Sequence, residues 1–105
     1  MTKKRFKSQF SIRKYNKARH PQIILEANKT KFHSTSLTHA SKNRRKPNIP
    51  LKKNPDSSDK RKAYYQRRII EDFKFRYSKA FNNYQLSNGD IDELIKFLES
   101  KKKRK

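Results

Sequence analysis

The chain has no cysteine, no tryptophan, no valine and a single glycine, Gly89, in 105 residues. Without thiols there is no disulfide framework, thiolate zinc site or iron–sulfur cluster, and nothing demands an oxidising compartment. One glycine cannot supply a phosphate-cradling loop, a dinucleotide fingerprint or a nucleophile elbow, so ATP, NAD and acyl-transfer chemistry are set aside. Acids are scarce too, with nine Asp and Glu against thirty Lys and Arg. A metal-dependent nuclease needs clustered carboxylates as hard-ion ligands, and four of the nine lie between residues 90 and 99. No metal and no cofactor is expected. The longest aliphatic run, Ile23-Ile24-Leu25, is far short of the ~20 residues of a membrane helix or the ~7–15 of a signal-peptide core. The acid-free start has no clean amphipathic face of the kind a transit peptide carries. A cytoplasmic protein that avoids membranes is the expectation.

What is abundant is positive charge. Charged residues make up 37% and hydrophobic ones 30%, with a net charge of +21, which puts the chain near the border of unaided folding and makes it a ligand for polyanions. Residues 1–19 carry eight bases and no acid, interrupted by Phe6, Phe10, Ile12 and Tyr15. They read either as a basic N-terminal extension that orders on a partner or as a first strand preceded by a tail. Pro21 opens the apolar run 22–26, Ala27 to Thr30 reads as a turn, and 31–38 is rich in hydroxyl residues, so the two runs make a hairpin. Prolines at 47, 50 and 55 exclude a helix through the basic stretch 39–62. Pro50 confines the Ile49-Pro50-Leu51 segment to a sheet edge. Asp56 and Asp59 read as turn residues around Pro55 rather than as general acid–base groups. A strand is expected at 63–70, followed by a stretch in which strand and helix periodicities compete.

The clearest element is a helix over about 88–100. Ser87 and Asp90 form a capping-box pattern, Ile91, Leu94, Ile95 and Leu98 fall on one face, and acids precede bases along it. Its apolar stripe needs a partner surface. Either a small β-rich body, spanning residues 20–100 and followed by a basic tail at 101–105, or a protein partner supplies one.

Nucleic acid is the partner this charge favours. The alternation Phe73-Lys74-Phe75-Arg76-Tyr77 would suit stacking on unpaired bases, which favours single-stranded RNA over duplex DNA. The shortage of other apolar residues argues instead that these rings build the core. One reaction lies within reach of the inventory. Cleavage of RNA by its own 2′-hydroxyl needs a proton acceptor, a proton donor and positive groups on the phosphate; imidazole is the side chain suited to both proton roles, and the chain has three, His20, His33 and His39.

His20-Pro21-Gln22-Ile23-Ile24-Leu25, Ser36-Leu37-Thr38, the basic loop, Asn48-Ile49-Pro50-Leu51 and a Leu86-Ser87-x-x-Asp90 helix start resemble the centre of the MazF/PemK toxin family over about residues 20–100. The resemblance implies a mainly β (α+β) fold, a small SH3-like barrel with a C-terminal amphipathic helix. It also implies a metal-independent endoribonuclease, commonly a homodimer, whose basic groove receives an acidic antitoxin-like protein. Thr38 matches the family threonine. His20 stands where the family has arginine, with Arg19 one place earlier, which removes the fixed guanidinium fork for phosphate. The family's first strand with its Gly-Asp word is missing.

His20 and Thr38 are therefore the candidate catalytic residues. Arg19, His39, Lys42, Arg44, Arg45, Lys46, Lys52, Lys53, Arg67 and Arg68 are the candidate nucleic-acid contacts. The alternative function is a non-enzymatic nucleic-acid-binding accessory protein, ribosome-associated, chaperone-like or encoded by a mobile element.

Overall fold

Hydrophobic residues too few for a thick core are spent on both faces of one strand. In the computed structural model, which describes residues 9–43 and 45–103, β1 (Ile12–Arg13), β2 (Gln22–Ala27) and β3 (Lys31–Thr38) run antiparallel in that order. The β2–β3 turn is made by Asn28, whose Oδ1 accepts the amides of Thr30 and Lys31 at 3.0 and 2.8 Å. This side-chain mimic of a backbone turn is what asparagine does best. Ile23, Ile24 and Leu25 are all fully buried, because Ile23 and Leu25 face one core and Ile24 the other. A continuous apolar run is the signature of such a two-sided strand.

The basic stretch that follows holds a small ribbon of β4 (Lys42–Asn43) and β5 (Lys46–Pro47), then β6 (Ile49–Pro50). β6 pairs with β7 (Tyr64–Tyr65) and forms the sheet edge, where Pro50 removes no ladder bond from a central strand. The expected strand at 63–70 divides into β7 and β8 (Ile70–Phe73), with the exposed Arg67 and Arg68 between them. Both pieces pair with β3: β8 along Lys31 to Ser34 and β7 along Leu37 and Thr38. A 3₁₀ turn at Lys74–Arg76 follows β8. The chain then returns beside the start of the sheet, with an isolated bridge between Tyr15 and Tyr77 and amides of Ser78 and Phe81 donating to the carbonyls of Lys14 and Ile12. Among the described residues the strands do not close into a barrel. The result is a small α+β protein, mostly antiparallel sheet with one helix.

The helix, α1 (Asn88–Lys103), lays Leu94 and Leu98 on a core with Phe10, Ile12, Ile23, Leu25, Leu37, Leu51 and Tyr65. On the other face of the sheet, Tyr15, Ile24, Phe32 and Tyr77 form a second cluster. Two boundaries differ from the sequence reading. Phe10, Ile12 and Tyr15 are buried, so the folded body includes part of the stretch 1–19 rather than starting at residue 20; residues 1–8 lie outside the described residues. At the other end α1 continues to Lys103, into the segment read as a tail, while Arg104 and Lys105 lie outside the described residues. Phe10 has φ 65°, a left-handed conformation held by its amide on the Ile24 carbonyl at 2.6 Å and by Gln9 Nε2 on the Leu25 carbonyl at 2.9 Å. Such a conformation costs a non-glycine residue about 1–2 kcal/mol.

Candidate nucleic-acid interface and cleavage centre

The start of β2 and the end of β3 meet. Gln22 pairs with Ser36 and the Leu37 amide donates to the Pro21 carbonyl at 2.9 Å, which places His20 at the same end of this strand pair as Thr38. The backbone at His20 is fixed from inside. Gln22, fully buried, donates through Nε2 to Ser36 Oγ at 2.8 Å and to the His20 carbonyl at 3.3 Å, and its Oε1 accepts from Ser34 Oγ at 3.0 Å. Since the Ser34 proton is used on Gln22, the 2.9 Å contact between Ser34 Oγ and Tyr77 Oη has tyrosine as donor. A buried amide is tolerated because every polar atom has a partner. Sequence reasoning counted Gln22 as part of an apolar run and missed this support.

Thr38 is buried, and its Oγ1 accepts the Ala40 amide at 3.2 Å, which leaves the hydroxyl proton as its donor. The neighbouring His39 is exposed and held from both sides. Its Nδ1 lies 3.3 Å from the Lys62 carbonyl and its Nε2 lies 3.3 Å from Asp59 Oδ2. Both neighbours accept, so the ring satisfies both only with a proton on each nitrogen. Asp59 is gripped by Arg61 through Nε to Oδ1 at 3.0 Å and Nη2 to Oδ2 at 2.8 Å, and by the Arg61 amide. These hydrogen bonds, side chain first, hold the Asp59 carboxyl down to about 2. Asp59, read from sequence as a turn residue, thus orients an imidazole. Its three-residue spacing from Asp56 carries no hint of this, because His39 comes from the far-off end of β3.

The candidate contacts divide. Arg19, Lys42, Arg45 and Lys46 are exposed; Arg19 precedes His20 in the chain, while the other three belong to the ribbon that follows Ala40. Arg67 Nε donates to the Pro47 carbonyl at 3.2 Å and joins that group, with Arg68 exposed beside it in the chain. Arg44 lies outside the described residues. Lys52 and Lys53 go elsewhere: their amides donate at 2.8 and 3.1 Å to the two oxygens of the buried Asp90. Ser87 completes the cap, since its Oγ accepts the Asp90 amide at 3.2 Å and donates to Asp90 Oδ2 at 3.0 Å. A cleft of about 380 Å³ lies beside this helix start, lined mainly by Lys53, Asn54, Asn82, Asn83, Gln85 and Asn88.

No family model, curated protein or solved structure matches the chain. The site is therefore read from its own chemistry. Among the described residues no group of three or more His, Cys, Asp or Glu could hold a metal ion, and no helix is long and apolar enough to cross a membrane. His33, the third histidine, stands away from this end of β3 between Glu26 and Glu71, at 3.6 and 3.1 Å.

Two of the three rings in the 73–77 alternation are not where core packing would put them. Tyr77 is buried, but Phe73 is 40% and Phe75 77% exposed.

Proposed function

We propose that this is an RNA-binding, metal-independent endoribonuclease of the MazF/PemK-like kind, acting in the cytoplasm and built on an open, SH3-like arrangement of strands. The returning segment, bonded to the Lys14 and Ile12 carbonyls, curls the chain back beside the first strand and supports that SH3-like reading without closing the sheet. The observation that carries the function is that His20, Thr38 and the Asp59-held His39 all lie at one end of the β2–β3 pair, next in the chain to the basic ribbon.

In this reading one imidazole accepts the proton of the RNA 2′-hydroxyl as its oxygen attacks the adjacent phosphorus. The P–O5′ bond breaks and the other imidazole protonates the leaving oxygen, which gives a 2′,3′-cyclic phosphate and a 5′-hydroxyl without a metal. His20 is the acceptor, and His39 becomes the donor when the leaving oxygen displaces one of its two partners at 3.3 Å. The Thr38 hydroxyl, whose oxygen already accepts the Ala40 amide, donates its proton to the phosphate. Lys42, Arg44, Arg45, Lys46 and Arg67 neutralise neighbouring phosphates. Single-stranded RNA is the substrate because duplex geometry does not expose the 2′-hydroxyl to in-line attack. An acidic protein laid on the same bases would inhibit, and a second copy of the chain is the expected oligomeric partner.

Incubation of the purified protein with mixed RNA in EDTA, followed by mapping of ends, tests this. Discrete cuts leaving cyclic phosphates are expected, with cleavage abolished and binding retained in the His20→Ala/Thr38→Ala variant. Equal degradation by that variant, in a preparation free of contaminating nuclease, rules the centre out. The burial of Thr38 and the engagement of its Oγ1 favour a second reading, a non-enzymatic RNA-binding accessory protein, which predicts salt-sensitive binding and no product.

A further inference from the structure

We propose that Phe73 and Phe75 form a second RNA contact, a platform on which unpaired bases stack, at the opposite end of β3 from the cleavage centre. The proposal rests on the RNA-binding reading and adds to it a site made of different residues.

β8 is inverted relative to an ordinary half-buried strand. Its inward positions hold Ile70 and Asp72, and its outward positions hold Glu71 and Phe73. The inversion is enforced. Asp72 accepts the Tyr15 hydroxyl and the Phe73 amide and pairs with Arg76 at 3.1 Å and Lys17 at 3.8 Å. Lys74 donates its amide to the Thr30 carbonyl at 2.9 Å. A slip of one residue would bury Phe73 and expose Asp72, yet the fold specifies the reverse. The 3₁₀ turn then carries Phe75 out beside Phe73, with ring centroids 5.5 Å apart and planes 12° from parallel.

These two rings are the exposed large hydrophobic residues among those described, and cations flank them. Lys31 Nζ lies 5.1 Å from the Phe73 centroid and the Arg76 guanidinium 5.2 Å from that of Phe75. Near-parallel rings on a strand and a tight turn, with a positive group at each side, match the two halves of a nucleotide: a flat face for the base and a cation for the phosphate. Glu26 and Glu71 lie one row further along the same face, engaged with His33. That row disfavours a broad anionic surface such as a membrane more than it disfavours a single strand. A second copy of a chain at +21 is repelled, and two rings fall well short of the roughly 800 Å² per partner of a stable interface. Lys31 and Thr38 are seven residues apart on β3, about 23 Å at a strand's rise, so one strand of RNA can reach both ends.

The test uses the full chain and two fluorescent probes of twelve nucleotides: a 2′-O-methyl RNA, which lacks the nucleophile, and an abasic oligomer of equal charge. The wild type is expected to bind the base-bearing probe more tightly. Phe73→Ala/Phe75→Ala should lose about 5- to 150-fold for each base stacked, with an unchanged salt slope because no charge is removed. Phe73→Tyr/Phe75→Tyr should retain affinity. Should the double alanine variant melt early, Phe75→Ala alone, at the more exposed ring, decides. Equal wild-type affinity for both probes overturns the platform and leaves RNA binding standing. No binding of either probe removes both. Loss of binding to phosphatidylserine vesicles with unchanged RNA affinity assigns the rings to membrane instead and overturns the proposal.

Discussion

The two sides of the sheet are built differently. Under α1 the core is broad and largely aliphatic, with Leu94, Ile23 and Leu25 fully buried. On the other side only Tyr15, Ile24, Phe32 and Tyr77 are buried together, with Tyr15 stacked on Tyr77 at 4.6 Å and Phe32 edge-on to Tyr77 at 5.3 Å. That smaller cluster is threaded by hydrogen bonds. Tyr77 leads through Ser34 and Gln22 to the His20 carbonyl, and Tyr15 leads to Asp72 and hence to the outward register of Phe73. Apolar burial supplies strength without direction, whereas hydrogen bonds supply modest strength with strict geometry. The helix side therefore supports the body, and the aromatic side aims the two surfaces proposed to meet RNA.

The comparison breaks most directly at Leu94. Leu94→Ala should destabilise by about 2–5 kcal/mol, read by denaturant unfolding. The folded fraction of the variant should still bind and cleave normally, and a selective loss of cleavage would mean that the helix side also aims the site. Asp90→Ala should cost about 2–3 kcal/mol, because it leaves the Lys52 and Lys53 amides and the Ser87 hydroxyl without their carboxylate. Asp90→Asn, which offers one carbonyl oxygen instead of two carboxylate oxygens, should lose less.

Tyr77→Phe should cost only about 1 kcal/mol of stability. Cleavage measured well below the melting temperature should nevertheless fall, since the hydrogen-bond chain to His20 starts at that hydroxyl. Unchanged cleavage would deny the aromatic side its aiming role. The smallest effect is on pH dependence. The Tyr15 hydroxyl, with Arg76 and Lys17, holds the Asp72 carboxyl below its usual range, while burial first and then Asp72 push the Tyr15 phenol up to about 12. A lowered carboxylate stabilises above its unfolded value of about 3.9 and that contribution is lost as pH falls through the folded value. A raised phenol stabilises below about 10, and its contribution is lost as pH rises toward 12. Tyr15→Phe should flatten both flanks of a stability–pH curve obtained by thermal melting.

Much of the frame was legible from residues alone. The hairpin of β2 and β3, the edge position of Pro50 and the Ser87–Asp90 cap each rest on local stereochemistry, which a sequence displays directly. The elements hidden from it depend on distant pairings. Ile12 reads as part of a charged tail until β2 lies beside it, and residues 63–70 read as one strand until β3 proves long enough to take two partners on one edge. Asp59 shows its hold on His39 only once the end of β3 comes alongside residues 59–62. Composition alone puts the aromatic alternation in the core, yet the register fixed by the half-buried Asp72 sends Phe73 outward. Periodicity ranks positions by polarity, so it cannot foresee a strand that turns its acid inward and its ring outward.

The carboxylate of Asp90 has a further consequence in the order of synthesis. Its two backbone partners, at Lys52 and Lys53, leave the ribosome 38 and 37 residues earlier. Until Asp90 follows, that loop and the basic ribbon before it belong to a nascent chain in close company with ribosomal RNA. Closure of the loop onto the helix start therefore waits on the later segment, because the carboxylate that both amides need is made last.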